Sequence, residues 1–240
     1  VEPLPTRQHQ HFYKKYLRQV NIVQLSYFEL LSSEPVYLKN IGGIISPTLR
    51  DISSIGINTY QYFLSILLMD KKTFFDSYVI QNVLNFFIKE NVSYSNEHEC
   101  FLIHETETTG IITKEIYPKV CDLILQRNYI KTQHNEDLSK IENPKALEIM
   151  KKIQKGRAES KKNTQTDENM ELGNIISAVA NKGNGLNILN IWDITIFQLW
   201  DCFMRLSNNN IYDIQSMSVA AWGNKDKYFD FTSWYKRIYN

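Results

Sequence analysis

The sequence predicts a mainly α fold with small β-hairpins, an α+β protein with a compact helical core and no large sheet. Three observations carry this. Large apolar residues recur every three or four positions through most of the chain, the period of a buried helix face. Two short apolar runs around glycine-bearing turns, 36–46 and 101–112, read instead as hairpins. The stretch Ile194 to Leu206 is apolar over most of its circumference, so it reads as the central helix of the core, buried on several sides.

Bulk composition narrows the class. A chain of 240 residues fits one large domain or two small ones. With 43% hydrophobic and 22% charged residues it is an ordinary globular sequence. Its net charge of +1 provides no global field toward nucleic acid or an anionic membrane. Fourteen Tyr and twelve Phe accompany frequent Ile, Lys and Asn, a bias typical of AT-rich coding. Cys100, Cys121 and Cys202 are far apart and form no CxxC, which argues against a disulfide framework or a zinc knuckle. Free buried thiols in a reducing compartment are the expectation. The opening VEPLPTRQHQHF has no apolar signal core, and the apolar run Tyr60 to Met69 is too short to span a bilayer.

In chain order, residues 1–10 read as a loose polar arm. Phe12, Tyr16, Val20, Val23, Tyr27 and Leu31 are spaced for a helix that ends at Ser32-Ser33-Glu34-Pro35. Two short strands follow, with Gly42-Gly43 offering the positive φ of a tight turn. Pro47 opens a helical run that Gly56 can split in two, carrying Leu49, Ile52, Tyr60, Phe63, Leu64 and Leu67. A charged break precedes a helix over Phe74 to Lys89. Asn91 to Glu99 reads as a polar loop, and the second hairpin turns through Thr106 to Gly110. The next helix spans Lys114 to Asn128, with Pro118 placing its true start near Tyr117.

A composition shift then divides the chain into 1–130, a helical unit with two hairpins, 131–169, a charged linker with a helix over Pro144 to Ile153, and 170–240, an aromatic-rich helical unit. Lys161 to Asn169 reads as a disordered segment or a hinge. Met170 to Ala180 is an amphipathic helix closed by a left-handed Gly183. Asp193 is placed as N-cap of the central helix, with Thr195, Gln198, Asp201 and Arg205 as its wet stripe. Asn208 to Asn210 reads as a turn before a separate short helix, Tyr212 to Ala221.

The chemistry on offer is sparse. His98, Glu99, Cys100, His104 and Glu105 are the nearest thing to a metal cluster, but a surface strand with one buried thiol explains them better. There is no GxSxG and no Cys with a local partner. Neither glycine stretch has P-loop or Rossmann spacing. Glu105 and Glu107 read as a solvated hairpin tip. The expectation is a protein that is not an enzyme, with no catalytic residues, no metal and no cofactor. Lys151, Lys152, Lys155 and Arg157 begin a basic run that would touch phosphates in the alternative reading, a nucleic-acid-associated protein. No aromatics interleave with it for base stacking, and a solvated helix face is the simpler account.

The stretch ISAVANKGNGLNILNIWDITIFQLWDCFMRL, residues 176–206, resembles a segment of proteins from phages and prophages of Gram-positive bacteria. The residues that carry the likeness are the Asn-Ile-Trp-Asp entry, Thr195, Gln198, Trp200 and Arg205. YFELLSSEPVYLKNIGGIISPTLRDI, residues 27–52, is similar to the opening of such proteins. They are encoded among tail morphogenesis genes, and their architecture resembles tail assembly chaperones, which are helical, non-catalytic and bind a hydrophobic tape-measure segment. The resemblance therefore implies tail assembly by protein–protein contact, as a chaperone of the tape-measure protein or a minor tail component. Partners would be other phage structural or assembly proteins, not membrane or nucleic acid, in the bacterial cytoplasm or the virion. Interfaces favour aromatics and Arg, which points to Trp192, Phe197, Trp200, Arg205, Trp222 and Trp234 as partner-binding residues.

Overall fold

Four helices begin where a short polar side chain can accept the free N–H groups of a first turn. Ser26, Thr48 and Thr195 each close a capping box, with Glu29, Asp51 and Gln198. Asp76 caps through the amides of Tyr78 and Val79. The computed structural model describes residues 24–69, 76–104, 108–131, 168–183, 185–224 and 229–239. Its elements are α1 (Tyr27–Leu31), β1 (Val36–Leu38), β2 (Gly42–Ile44), α2 (Leu49–Ile55), α3 (Ile57–Leu68), α4 (Ser77–Phe87), β3 (Asn91–Ser95), β4 (Cys100–His104), β5 (Thr108–Ile112), α5 (Tyr117–Arg127), α6 (Leu172–Lys182) and α7 (Ile196–Trp222). The result is a mixed α+β fold with one two-stranded and one three-stranded antiparallel sheet, as the hydrophobic periods predict.

The first hairpin pairs Val36 with Ile44 and Leu38 with Gly42, turning through Asn40 and Gly42 at positive φ. The second sheet departs from expectation. Asn91 to Ser95 is a strand, not part of a loop, so the predicted hairpin forms the β4–β5 side of a β3-β4-β5 sheet. Asn85 on α4 brackets Val92, accepting its N–H at 2.7 Å and donating to its C=O at 2.8 Å, while Gln81 accepts the Tyr94 amide. A polar sequence is thus held as a strand by side chains seven to thirteen residues away. Gly110 does not make the turn. It lies in β5, where an added Cβ would sit 2.0 Å from the Asn40 carbonyl oxygen. That oxygen also accepts the Ile111 amide, which ties the two sheets together.

Gly56, at φ +83°, splits the helical run after Pro47 as predicted. The helix read from Phe74 starts after Asp76, and the one read from residue 11 has a fresh N-cap at Ser26. Gly183 is not left-handed: its φ is −73°, and the close approach of the Val179 carbonyl explains the missing side chain.

The largest corrections concern α7. Its N-cap is Thr195, not Asp193, because the chain first makes a 3-10 turn over Ile191–Asp193. Thr195 pairs with Thr48 in an antiparallel bridge, with Ile196 N–H to Pro47 O and Leu49 N–H to Ile194 O. Two capping boxes therefore lie side by side, and α2 and α7 start from one point. The helix then runs unbroken through Asn208–Asn210 to Trp222, where a turn and a second helix are expected from sequence. Burial is confined to its opening turns, at Ile196, Phe197, Leu199 and Asp201. The polar stripe is the reverse of wet. Thr195 and Asp201 are buried, and Gln198 donates to Leu31 O at 2.8 Å.

One cluster of buried apolar side chains draws on elements from Leu25 to Tyr239, including Leu30, Ile44, Leu84, Phe101, Ile124, Val179 and Phe197. Arg127 is buried inside this frame. It donates to the carbonyls of Glu29, Ser32 and Glu34, closing the C-terminal end of α1 and the break after it. The expectations for residues 1–10, for the helix over 144–153 and for the hinge at 161–167 lie outside the described residues; Glu168–Met170 is a short 3-10 turn.

Candidate partner-binding surfaces

Two geometries stand out. The first is a cleft of about 530 Å³ between α2, α3 and the start of α6. Leu49, Ile52, Ile57, Leu172, Ile176 and Trp192 supply its apolar lining, with Ser53, Asn58 and Gln61 as polar neighbours. Gly56 and Gly173 border open space in it, since a Cβ added at either would meet nothing within 4 Å. Both α3 and α6 begin here without a side-chain cap. Trp192 is half-buried and anchored, its indole N–H donating to Ile188 O at 3.0 Å. The 3-10 turn that carries it is pinned further by Asp193 pairing with Arg50 at 2.7 Å. Among the described residues of the lining, Glu171 is the one ionisable side chain.

The second is the outer half of α7 with the tail that folds back along it. Phe229 packs on Tyr212, Asn208 donates to Ser233 O, Arg205 donates to Lys236 O, and Tyr239 reaches Phe197. That traces the tail antiparallel to the helix, along one side. On the rest of this half Ile211, Ile214, Met217 and Trp222 are exposed.

The six residues singled out in the sequence are thus dispersed. Trp192 lines the cleft. Phe197 is fully buried against Tyr129 and Tyr239. Trp200 is half-buried, stacked on Tyr129 at 6.4 Å. Arg205 holds the tail and also donates to the Tyr27 hydroxyl at 3.2 Å. Tyr27 in turn donates to Asp201, and burial with that carboxylate raises its phenol above the ordinary range. This trio joins α1 to α7. Trp222 is 78% exposed, and Trp234 is exposed on the tail. Lys151, Lys152, Lys155 and Arg157 lie outside the described residues. Ile57 and Asn58 escaped the sequence reading, although the glycine break before them marks a helix start with an apolar first residue.

Cys100 is buried at one end of β4, while His104 at the other end bonds Ser93 at 2.7 Å and Glu99 pairs with Lys114. Among the described residues no three His, Cys, Asp or Glu side chains are grouped to hold a metal. No helix among them is long and apolar enough to cross a membrane.

Residues 160–239 match the family model described as the YomV second domain. YomV is a protein of Bacillus phage or prophage, which relates this part of the chain to a phage-derived domain. No curated protein and no solved structure matches the chain. The matched span contains α6, α7, Trp192 and the tail; α2 and α3, the facing wall of the cleft, lie outside it.

Proposed function

We propose that this is a non-catalytic phage morphogenesis protein that works in tail assembly by docking an apolar helical segment of another assembly protein. The tape-measure protein is the partner to which the resemblance points. The observation that carries the reading is the cleft: an apolar lining with polar neighbours and an anchored Trp192. Helix-in-groove recognition uses such a lining to take apolar side chains at helical spacing. Trp is also among the residues most enriched at binding hot spots. The relation of residues 160–239 to a phage-derived domain supports the setting.

Co-expression with the tape-measure protein of the same phage tests this. The parent chain should co-purify with it. Trp192→Ala and Ile57→Asp should each weaken binding by roughly thirtyfold or more, the loss of about 2 kcal/mol or more that a hot spot implies. Ile57→Asp places an acid in the first turn of α3, where a helix tolerates it, so its circular dichroism should match the parent's. Unchanged binding by both variants would remove the cleft from the account, and no co-purification of the parent would remove the partner.

A further inference from the structure

The exposed side of α7 has a spacing that the tail-assembly reading does not use. Met204, Ser207, Ile211, Ile214, Ser218 and Ala221 alternate steps of three and four residues, three successive a/d pairs of a coiled-coil seam, and all six are exposed. Trp222 and Met217 flank the seam and are exposed as well. The returning tail touches Arg205, Asn208 and Tyr212 on another side of the helix, so it leaves the seam open.

We infer that this seam pairs with the same seam of a second copy, antiparallel, about a two-fold axis between Ile211 and Ile214. Side-chain size is the first argument. In that arrangement Ile211 faces the partner copy at position 214, the small Ser207 faces position 218, and the long Met204 faces position 221, an alanine in this chain. Branched meets branched at the centre and large meets small at the ends, while Ser207 opposite Ser218 leaves a gap between them, so the seam matches its own copy at the centre and the ends, as an isologous contact requires. Charge is the second. From Leu206 to Gly223 the only charged residue is Asp213, and at about 100° per residue it lies roughly 130° around the helix from the seam. No like charges oppose across the axis, and nothing in the seam selects a charged partner. Area is the third. A patch with these five large side chains is on the order of 600 Å², the top of what a monomer leaves uncovered. Doubled across a two-fold it reaches roughly 1,200 Å², the lower bound for a specific interface.

Sedimentation velocity on the full chain should show monomer and dimer exchanging with concentration over about 1–200 μM, the range expected of an interface this small. Ile211→Asp with Ile214→Asp, at positions 52% and 65% exposed, should keep the parent's circular dichroism and sediment as monomer throughout. Ser218→Leu fills the gap opposite position 207 and should move the transition to lower concentration. Mixing Met204→Cys copies with Ala221→Cys copies should give a cross-linked pair that neither gives alone. A parent that stays monomeric, or a dimer indifferent to the folded aspartate pair, overturns the proposal. If the aspartates disturb the fold, Ser218→Leu decides: a tighter dimer supports the seam and an unchanged one overturns it. Cross-linking of Met204→Cys with itself would overturn the antiparallel register. None of these residues lines the cleft, so either proposal can fail without the other.

Discussion

Tyr60 shows how far burial governs single residues in this core. Its ring packs against Phe86 and Phe87, and its hydroxyl donates to Asn128 Oδ1 at 2.8 Å. Burial raises its phenol far above the ordinary range, and Tyr117 and Tyr239 move the same way. Tyr129, half-buried and facing Asp201, is pushed up to about 12. A phenol whose folded pKa is raised contributes stability below the unfolded value of about 10, and that stability is lost as pH climbs toward the folded value. Arg127 has the opposite sign. Burial pulls it down to about 10, so the unfolded chain holds its proton longer and stability gains as pH rises past that point. One arginine is set against several tyrosines, and the tyrosines win. The protein should therefore unfold cooperatively between about pH 10 and 12, with several tyrosines ionising together in the absorbance of tyrosinate. Independent titration near pH 10 with the helical signal intact would contradict this.

At the scale of elements, sequence and structure agree where local chemistry decides and part where distant groups decide. The Gly56 break, the α5 start at Tyr117 beside Pro118 and the Gly42 turn are all written locally. Strand β3 is not, because Asn85 and Gln81 from α4 make Asn91–Ser95 a strand. Gly110 was legible as a glycine but not as the point where Asn40 crosses it. Three consecutive asparagines looked like the end of α7, since each prefers turns to helix interiors. The helix continues because Asn208 is held by Ser233 O on the tail, a contact with no local signature. Asn209 is exposed and serves only helix propensity. Asn209→Ala should accordingly raise stability by about 0.5 kcal/mol in urea unfolding, the propensity difference between the two residues. A loss of stability would mean that the segment is not helical in solution.

For the molecule as a whole, what the sequence conveyed was the class of fold and the place of α7 in it; what it concealed was which half of α7 is core. An apolar, aromatic-rich stretch looks the same whether its side chains face a core or solvent. Phe197 and Trp222 lie at opposite ends of one helix, the first buried and the second exposed, with nothing in their residue types to separate them. The cleft was less legible still. Its walls come from segments more than a hundred residues apart, Leu49–Gln61 and Glu171–Trp192, and of its lining only Trp192 reads as partner-binding from the sequence. The arrangement suits a protein that acts by covering apolar surface on a partner. Such docking buries apolar area, which gives a negative heat-capacity change and little response to salt, whereas phosphate binding weakens steeply as salt rises. Titration calorimetry of the full chain with the tape-measure protein at about 50 mM and 200 mM salt separates the two most directly. The account predicts a saturable interaction with negative heat-capacity change and an affinity the same within about threefold at both salts. An affinity that falls by about a thousandfold between them, or no heat of binding at either, would contradict it.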